Sequence, residues 1–215
     1  FVKSTANFEF KGTELEIVQE TRYPWFGSVK IGINPNRVRE FTVCLRIPGW
    51  AQNKPLPGNL YSYLEGTSGQ IVVRLNRKLV PVEVDHGYLR LKRKWTRGDA
   101  IEVLLPLEIK RVIAHEKVKE DRGKVAVERG PVVYCAEGLD NGGTALSLVL
   151  PDSSRLQAWY RDDLLGGVEV ITGSGLALDE QGQASRKQNL FLIPYATWAN
   201  RGPWEMAVWL IRKTS

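Results

Sequence analysis

Apolar and polar residues alternate in short runs, and turn residues break the runs about every 8 to 12 positions. Phe41, Val43, Leu45 and Ile47 alternate with Thr42, Cys44 and Arg46 and stop at Pro48-Gly49. Val29, Ile31 and Ile33 do the same and stop at Asn34-Pro35-Asn36. Phe8–Phe10, Leu15–Val18, Ile71–Leu75, Leu79–Val82, Tyr88–Leu91 and Ile101–Leu105 complete a first set. Pro106–Ile113 reads as an extended crossover, and the polar stretch His115–Lys124 as an exposed loop. A second set follows: Val125–Val127, Val132–Cys135, Leu146–Leu150, Val168–Ile171, Leu190–Ile193 and Met206–Leu210. Side chains two apart share a face of a strand, so such runs each bury one face. The pattern predicts an all-β chain of two consecutive antiparallel β-sandwich (jelly-roll-like) domains, residues 1–107 and 108–215. Only Ser153–Leu165 suggests a helical turn or two, with Leu156, Trp159 and Leu164 on one side. Gly173-Ser174-Gly175 reads as a turn.

Charge and motif content exclude most functional classes. The net charge of +6 lies wholly in the first half, where 16 Lys and Arg face 10 Asp and Glu, against 14 and 14 in the second. The basic run Arg90–Arg97 puts Arg90, Lys92 and Lys94 on one strand face and Leu89, Leu91 and Trp95 on the other, with Arg93 snorkelling from the core side. No stacking aromatics interleave with these charges, so the run reads as a solvated face and not as a nucleic-acid groove. No apolar run has the length of a membrane helix. Cys44 and Cys135, one in each half, read as small buried hydrophobes, with a disulfide between them left open. Two histidines, His86 and His115, and no paired-cysteine spacing leave nothing for a zinc site. Asp162, Asp163 and Glu205 are carboxylates of the kind glycoside hydrolysis needs, but no pair of them stands out. Seven tryptophans do. Trp95 and Trp209 fall in strand alternation and read as core; Trp25, Trp198 and Trp204 sit in loops beside Pro24, Asn200 and Pro203, where an aromatic ring stacks on a sugar or packs against a partner.

Several segments in order carry a family resemblance. They are Glu20-Thr21-Arg22-Tyr23-Pro24-Trp25-Phe26-Gly27, Leu45-Arg46-Ile47-Pro48-Gly49-Trp50-Ala51, and Gly87-Tyr88 leading to Lys94-Trp95 and Gly98-Asp99. Val125-Ala126-Val127-Glu128-Arg129-Gly130-Pro131-Val132-Val133-Tyr134-Cys135 follows, with Asp140-Asn141, then Ile193-Pro194-Tyr195-Ala196-Thr197-Trp198-Ala199-Asn200-Arg201-Gly202 and Val208-Trp209-Leu210. Together they resemble the C-terminal β-sandwich region of the β-L-arabinofuranosidase family, glycoside hydrolase family 127. The resemblance implies an N-terminal (α/α)6 barrel that carries an acid/base Glu and a zinc-bound cysteine nucleophile. This sequence has neither a Cys-Cys pair nor a Glu-x-Cys, so no catalytic residue carries over. It departs at Asn76-Arg77, where Asn-Gly is expected, and at Phe26, where an Asp is common.

The chain starts at Phe1 and has one methionine, Met206, which suggests a piece of a longer product. The expectation is a non-catalytic accessory segment with no cofactor of its own, zinc belonging to the family's catalytic domain. Expected partners are that barrel and, as an alternative, arabinose-containing glycans bound by a stand-alone module, or a second copy in a structural or oligomerisation role; nucleic acid and membrane are not expected. Tyr23, Trp25, Arg129, Trp198, Asn200 and Arg201 are the candidate docking or sugar-contact residues, the arginines as forked donors and the aromatics as buried area.

Overall fold

The computed structural model describes residues 1–66 and 68–214, the side chain of Ser185 apart. The fold is all-β, and the strands fall into two compact units. In chain order they are β1 (Ser4–Phe10), β2 (Thr13–Thr21), β3 (Ser28–Pro35), β4 (Arg39–Arg46), β5 (Tyr61–Tyr63), β6 (Val72–Leu75), β7 (Lys78–Val80), β8 (Val84–Asp85), β9 (Tyr88–Trp95) and β10 (Asp99–Leu104). They continue with β11 (Ile109–Ala114), β12 (Lys124–Arg129), β13 (Val132–Glu137), β14 (Leu148–Pro151), β15 (Leu156–Arg161), β16 (Val168–Leu178), β17 (Ala184–Pro194), β18 (Met206–Ala207) and β19 (Leu210–Lys213).

Unit 1 holds Phe1–Asn53 and Thr67–Leu107. A six-stranded sheet, β1-β2-β3-β10-β6-β7, and a three-stranded sheet, β4-β9-β8, share one core. Val29, Ile33, Val73, Ile101 and Val103 enter it from the first sheet, and Leu45, Leu89, Leu91 and Trp95 from the second. Trp95 is fully buried; its indole N–H donates to the Phe41 carbonyl at 3.0 Å and its ring stacks on Phe41, so its polar atom is paired. The basic strand β9 alternates as its sequence requires: Leu89, Leu91 and Trp95 are buried, Arg90, Lys92 and Lys94 exposed. Lys92 and Arg90 meet Glu40 and Asp85 across exposed gaps of 3.6 and 3.7 Å. Arg93 lays its guanidinium over the Trp95 ring, 5.4 Å from the centroid, and reaches Asp99.

Three two-residue hairpins pin the register of this unit: Lys11-Gly12, Asn76-Arg77 and His86-Gly87 all have positive φ at both positions. That is the signature of a type I′ turn, whose twist matches the flanking strands and whose second position favours glycine. Arg77, at φ 68°, occupies that position with a full side chain.

Unit 2 holds Lys54–Gly66 with Glu108–Ser215, so a segment from within the first half belongs to the second. The reason is hydrogen bonding: β5 pairs antiparallel with β11, Tyr63 opposite Val112. Lys110 Nζ donates to the Gly66 carbonyl at 2.6 Å, and the Arg111 guanidinium meets Glu65 at 2.5 Å. The ten-stranded sheet runs β18-β13-β17-β16-β14-β19-β12-β11-β5, with β15 on β16. β12 splits one edge, giving Val127–Arg129 to β13 and Lys124–Val125 to β19, which folds the sheet back on itself around Val127, Tyr134, Leu148, Ile171, Leu190 and Leu192. All pairings are antiparallel except β14 with β19.

Three local expectations are corrected here. Ser153–Leu165 forms no helical turn; Leu156 and Ala158 pack on the core two residues apart, and β15 pairs residue for residue with β16. Gly173-Ser174-Gly175 is no turn but the middle of β16. A Cβ on Gly173 would stand 2.6 Å from Leu156 Cδ2, and one on Gly175 2.6 Å from Leu190 Cγ, so both glycines admit close-packed neighbours. Met206–Leu210 is two strands, β18 on β13 and β19 on β14, and the bend between them leaves Trp209 half-buried against Tyr61, not in the core.

Candidate functional site

In unit 1 the segment between β2 and β3 carries Tyr23 and Trp25. The Tyr23–Pro24 bond is cis. Thr21 Oγ1 accepts the Tyr23 N–H at 3.0 Å and donates to the Ser28 carbonyl at 2.8 Å, clamping both ends of the loop. The Tyr23 ring is half-buried, edge-on to Phe1 at 5.9 Å, and burial raises its pKa, opposed by the hydrogen bond from Trp50. The Trp25 and Phe26 amides donate to the Arg22 carbonyl, and the Arg22 guanidinium covers the exposed Phe26 ring at 4.4 Å. Tyr23 and Trp25 thus stiffen the loop, and Phe26 is its exposed tip.

In unit 2 the segment from Tyr195 to Glu205 gathers Trp198, Asn200 and Arg201. A 3₁₀ turn over Tyr195–Thr197 sets side chains three apart on one side. Tyr195 and Trp198 therefore lie nearly parallel, 8° between planes and 6.3 Å between centroids, and both stay exposed, at 46% and 42%. Trp204, on the same segment, is also exposed. Asn200 closes the turn by donating to the Thr197 carbonyl at 3.0 Å.

The same segment is anchored by a set of mostly buried charges. Arg201 forks onto Asp140, one bond at 3.0 Å, and onto Glu137 at 2.6 Å. Glu137, 1% exposed, also accepts the Ala199 N–H at 2.9 Å. The hydrogen bonds of Arg201 to Asp140, and then to Glu137, hold its pKa above its ordinary value against burial. Asn141, fully buried, donates to the Glu137 and Phe191 carbonyls and accepts the Phe191 N–H, tying this set to β17. At the other end Glu205 accepts from Ala145 N–H at 2.9 Å, Thr144 Oγ1 at 3.0 Å and Leu146 N–H at 3.3 Å, which together lower its pKa. Arg129 stands apart from this loop: it pairs with Glu169 at 2.5 Å, near the Tyr134 hydroxyl, which is buried without a hydrogen-bond partner among the described residues.

The arrangement offers an exposed, near-parallel aromatic pair on a segment anchored by ion pairs. It offers no acid and base: Glu137, Asp140 and Glu205 are each bonded within the fold, and Asp163 is forked onto Arg161 at 2.7 Å. Among the described residues no group of three or more His, Cys, Asp or Glu is placed to hold a metal ion, and no helix is long and apolar enough to cross a membrane. Cys44 is free and exposed; Cys135 is free and buried, its thiol pushed up to about 12 by burial. Trp198, Asn200 and Arg201 are brought together, Tyr23 and Trp25 belong to unit 1, and Arg129 serves a separate pair. Sequence reasoning passed over Glu137 and Tyr195. The Tyr-x-x-Trp spacing was the available signal for Tyr195, because a 3₁₀ turn stacks that spacing; nothing local marked Glu137 in its strand.

Comparison with known proteins covers nearly the whole chain. Residues 1–107 match the model for the β-L-arabinofuranosidase middle domain of glycoside hydrolase family 127, and residues 109–211 the model for that family's C-terminal domain. A non-reducing end β-L-arabinofuranosidase of Bifidobacterium longum subsp. longum is 31% identical over 97% of this chain and 32% of its own length. Among solved structures, a family-127 β-arabinofuranosidase superposes with a TM-score of 0.91 at 39% identity, over 97% of this chain and 33% of its own. A β-L-arabinofuranosidase from Geobacillus stearothermophilus T6 superposes with a TM-score of 0.84 at 36% identity, over 99% of this chain and 33% of its own. The chain thus spans about a third of the length of these relatives.

Proposed function

The chain belongs to glycoside hydrolase family 127, as its middle and C-terminal domains, and from that membership we propose that it is the non-catalytic accessory segment of a larger arabinofuranosidase-like enzyme. Its work is to pack on and support that enzyme's (α/α)6 catalytic barrel, which holds the reacting groups and any zinc. The observation that carries this reading is the exposed Tyr195–Trp198 pair on a base whose carboxylates are already bonded: a surface made to be covered, without a proton donor to spare. Arg201 acts from inside, fixing the loop that presents the aromatics; the loop tip at Phe26 and Trp25 offers unit 1 a similar contact.

The test is Trp198→Ala made twice, in the full-length enzyme and in the 215-residue chain. The ring is partly exposed and makes its ring contact within its own turn, so the short chain keeps its melting temperature to within a degree or two. The full-length enzyme loses several degrees, with kcat/KM falling only as its barrel loosens. Equal melting temperatures for both full-length proteins would sink the docking role. A second reading, sugar binding, is favoured by the near-parallel rings, the geometry that stacks on a sugar face. Titration of the short chain with arabino-oligosaccharides, followed by amide shifts, separates the two: saturable shifts around Tyr195 and Trp198 favour the sugar, and none at millimolar ligand favours docking.

A further inference from the structure

Unit 2 carries a groove on the outer face of its sheet, and strand register places it. Pro151 lies opposite Lys213 in the β14–β19 pair, and Val149 opposite Leu176 in the β14–β16 pair. Leu176 and Ser174 lie opposite Lys187 and Asn189 in the β16–β17 pair. Opposed residues, and residues two apart, share a face of a sheet, so Lys213, Pro151, Leu176, Ser174, Lys187 and Asn189 point to one side. That side faces away from the core, because Leu148, Leu150 and Ile171 occupy the other. The groove holds about 840 Å³, inside the range of roughly 300–1,000 Å³ of ligand pockets.

Its chemistry is one-sided. Lys187 and Lys213 stand on strands three spacings apart, roughly 14 Å, with exposed Ser153, Ser174 and Asn189 also in the lining. Among the described residues no carboxylate lines the groove, and neither lysine is in an ion pair. Asp152, beside two lining residues in the chain, is already forked onto Arg212 at 2.9 and 2.8 Å. The same face runs on to an aromatic ring. Thr172, two residues before Ser174, lies opposite Gln157, and Trp159 is two residues beyond Gln157. Trp159 is 56% exposed, and its indole N–H donates to Thr172 Oγ1 at 3.1 Å, which fixes the ring. We propose that this face binds an acidic oligosaccharide, a short chain of uronic acid units. Its carboxylates meet Lys187 and Lys213, its hydroxyls meet Ser153, Ser174 and Asn189, and one sugar ring stacks on Trp159. The cations call for an anion, the hydroxyl and amide lining for a polyhydroxylated one, and the flat ring for a sugar face. The site shares no residue with the Tyr195–Trp198 segment, so it stands whether or not that segment docks on a barrel.

Calorimetric titration of the 215-residue chain with trigalacturonate tests this. Binding saturates at millimolar ligand or below, and added salt weakens it. The neutral trisaccharide of the same linkage, with each carboxylate replaced by a hydroxymethyl group, binds on the order of tenfold more weakly, because it offers the lysines no charge. Lys187→Gln and Lys213→Gln each weaken trigalacturonate binding about threefold to fivefold, and the double variant K187Q/K213Q by about the product. Trp159→Ala weakens both trisaccharides on the order of tenfold. All three side chains are exposed, so unchanged melting temperatures report that the fold is intact in every variant. No saturation at millimolar trigalacturonate overturns the proposal. So does equal affinity for the neutral trisaccharide or for a triglutamate peptide, and so do lysine or tryptophan variants that bind like the wild type.

Discussion

The two units solve the same problem with different materials. Unit 1 is held by an apolar sandwich centred on Trp95, and most of its ion pairs lie outside, as with Lys92–Glu40 and Lys30–Glu20, where solvent screens them. Unit 2 takes its pairs in. Arg129–Glu169, Arg201 with Glu137 and Asp140, and Arg212–Asp152 are all mostly buried; the first joins β12 to β16, and the other two fix a loop to the sheet. A buried pair adds little net stability but is expensive to break, because the remaining charge is stranded. Unit 1 is therefore built for insensitivity, and unit 2 for fixed placement of exposed loops.

The largest expected effect comes from the segment that crosses between the halves. Residues 108–215 expressed alone lack β5, Glu65 and Gly66, so the buried Lys110 loses the Gly66 carbonyl and the buried Arg111 loses Glu65. That piece shows no cooperative urea transition; the same piece with residues 54–66 tethered to its start regains one. Next come Trp95→Ala and Arg201→Ala, each costing about 3–5 kcal/mol by urea denaturation. Only the second is rescued in part by adding Glu137→Gln and Asp140→Asn, because only there is the damage a stranded charge. A rescue that fails would erase the contrast between the units.

A smaller effect distinguishes the units by pH. Burial raises the pKa values of Glu128 and Glu169, against the hydrogen bond from Tyr63 and the charge of Arg129 respectively. Their folded forms hold protons more tightly than their unfolded ones, so unit 2 gains stability as pH falls through their raised values toward the ordinary 4.5. Asp152 is lowered by its hydrogen bond from Arg212, and its contribution disappears as pH falls from the ordinary 3.8 through the lower folded value. Unit 2 thus peaks in mild acid. In unit 1, burial tends to raise Asp99, but bonds from Asn76 and Thr96 outweigh it and leave it lowered. That unit stays level and then declines in acid. Hydrogen exchange resolved by residue reads both profiles; the same profile in both units would contradict the assignment. The smallest effect is Arg77→Gly, which frees a left-handed turn position and stabilises unit 1 by about 1 kcal/mol in urea titrations.

Sequence periodicity disclosed the sandwich strands well, because β4 and β9 each have one wet and one dry face. It misread β15, whose Leu156 and Trp159 fit a helical spacing by chance, and β16, where glycines signal close neighbours and not a turn. Those neighbours, Leu156 and Leu190, come from other strands, so local sequence holds no trace of them. The same limit applied at the candidate site. Trp198 and Arg201 stood out by type, whereas Glu137 and Asp140 become their base only when β13 is brought beside the final loop. The strand pairing of β5 with β11 was equally hidden, because pairing partners are chosen by the sheet and not by nearness in the chain.

That pairing has a consequence during synthesis. Tyr61–Tyr63 leaves the ribosome well before Ile109–Ala114, and the gap amounts to seconds at roughly 5–20 residues per second. During that wait β6 to β10, the strands that complete the first sandwich around Trp95, emerge, and β5 stays without the strand it pairs with. The opening piece of the second unit is thus made before the first unit is complete.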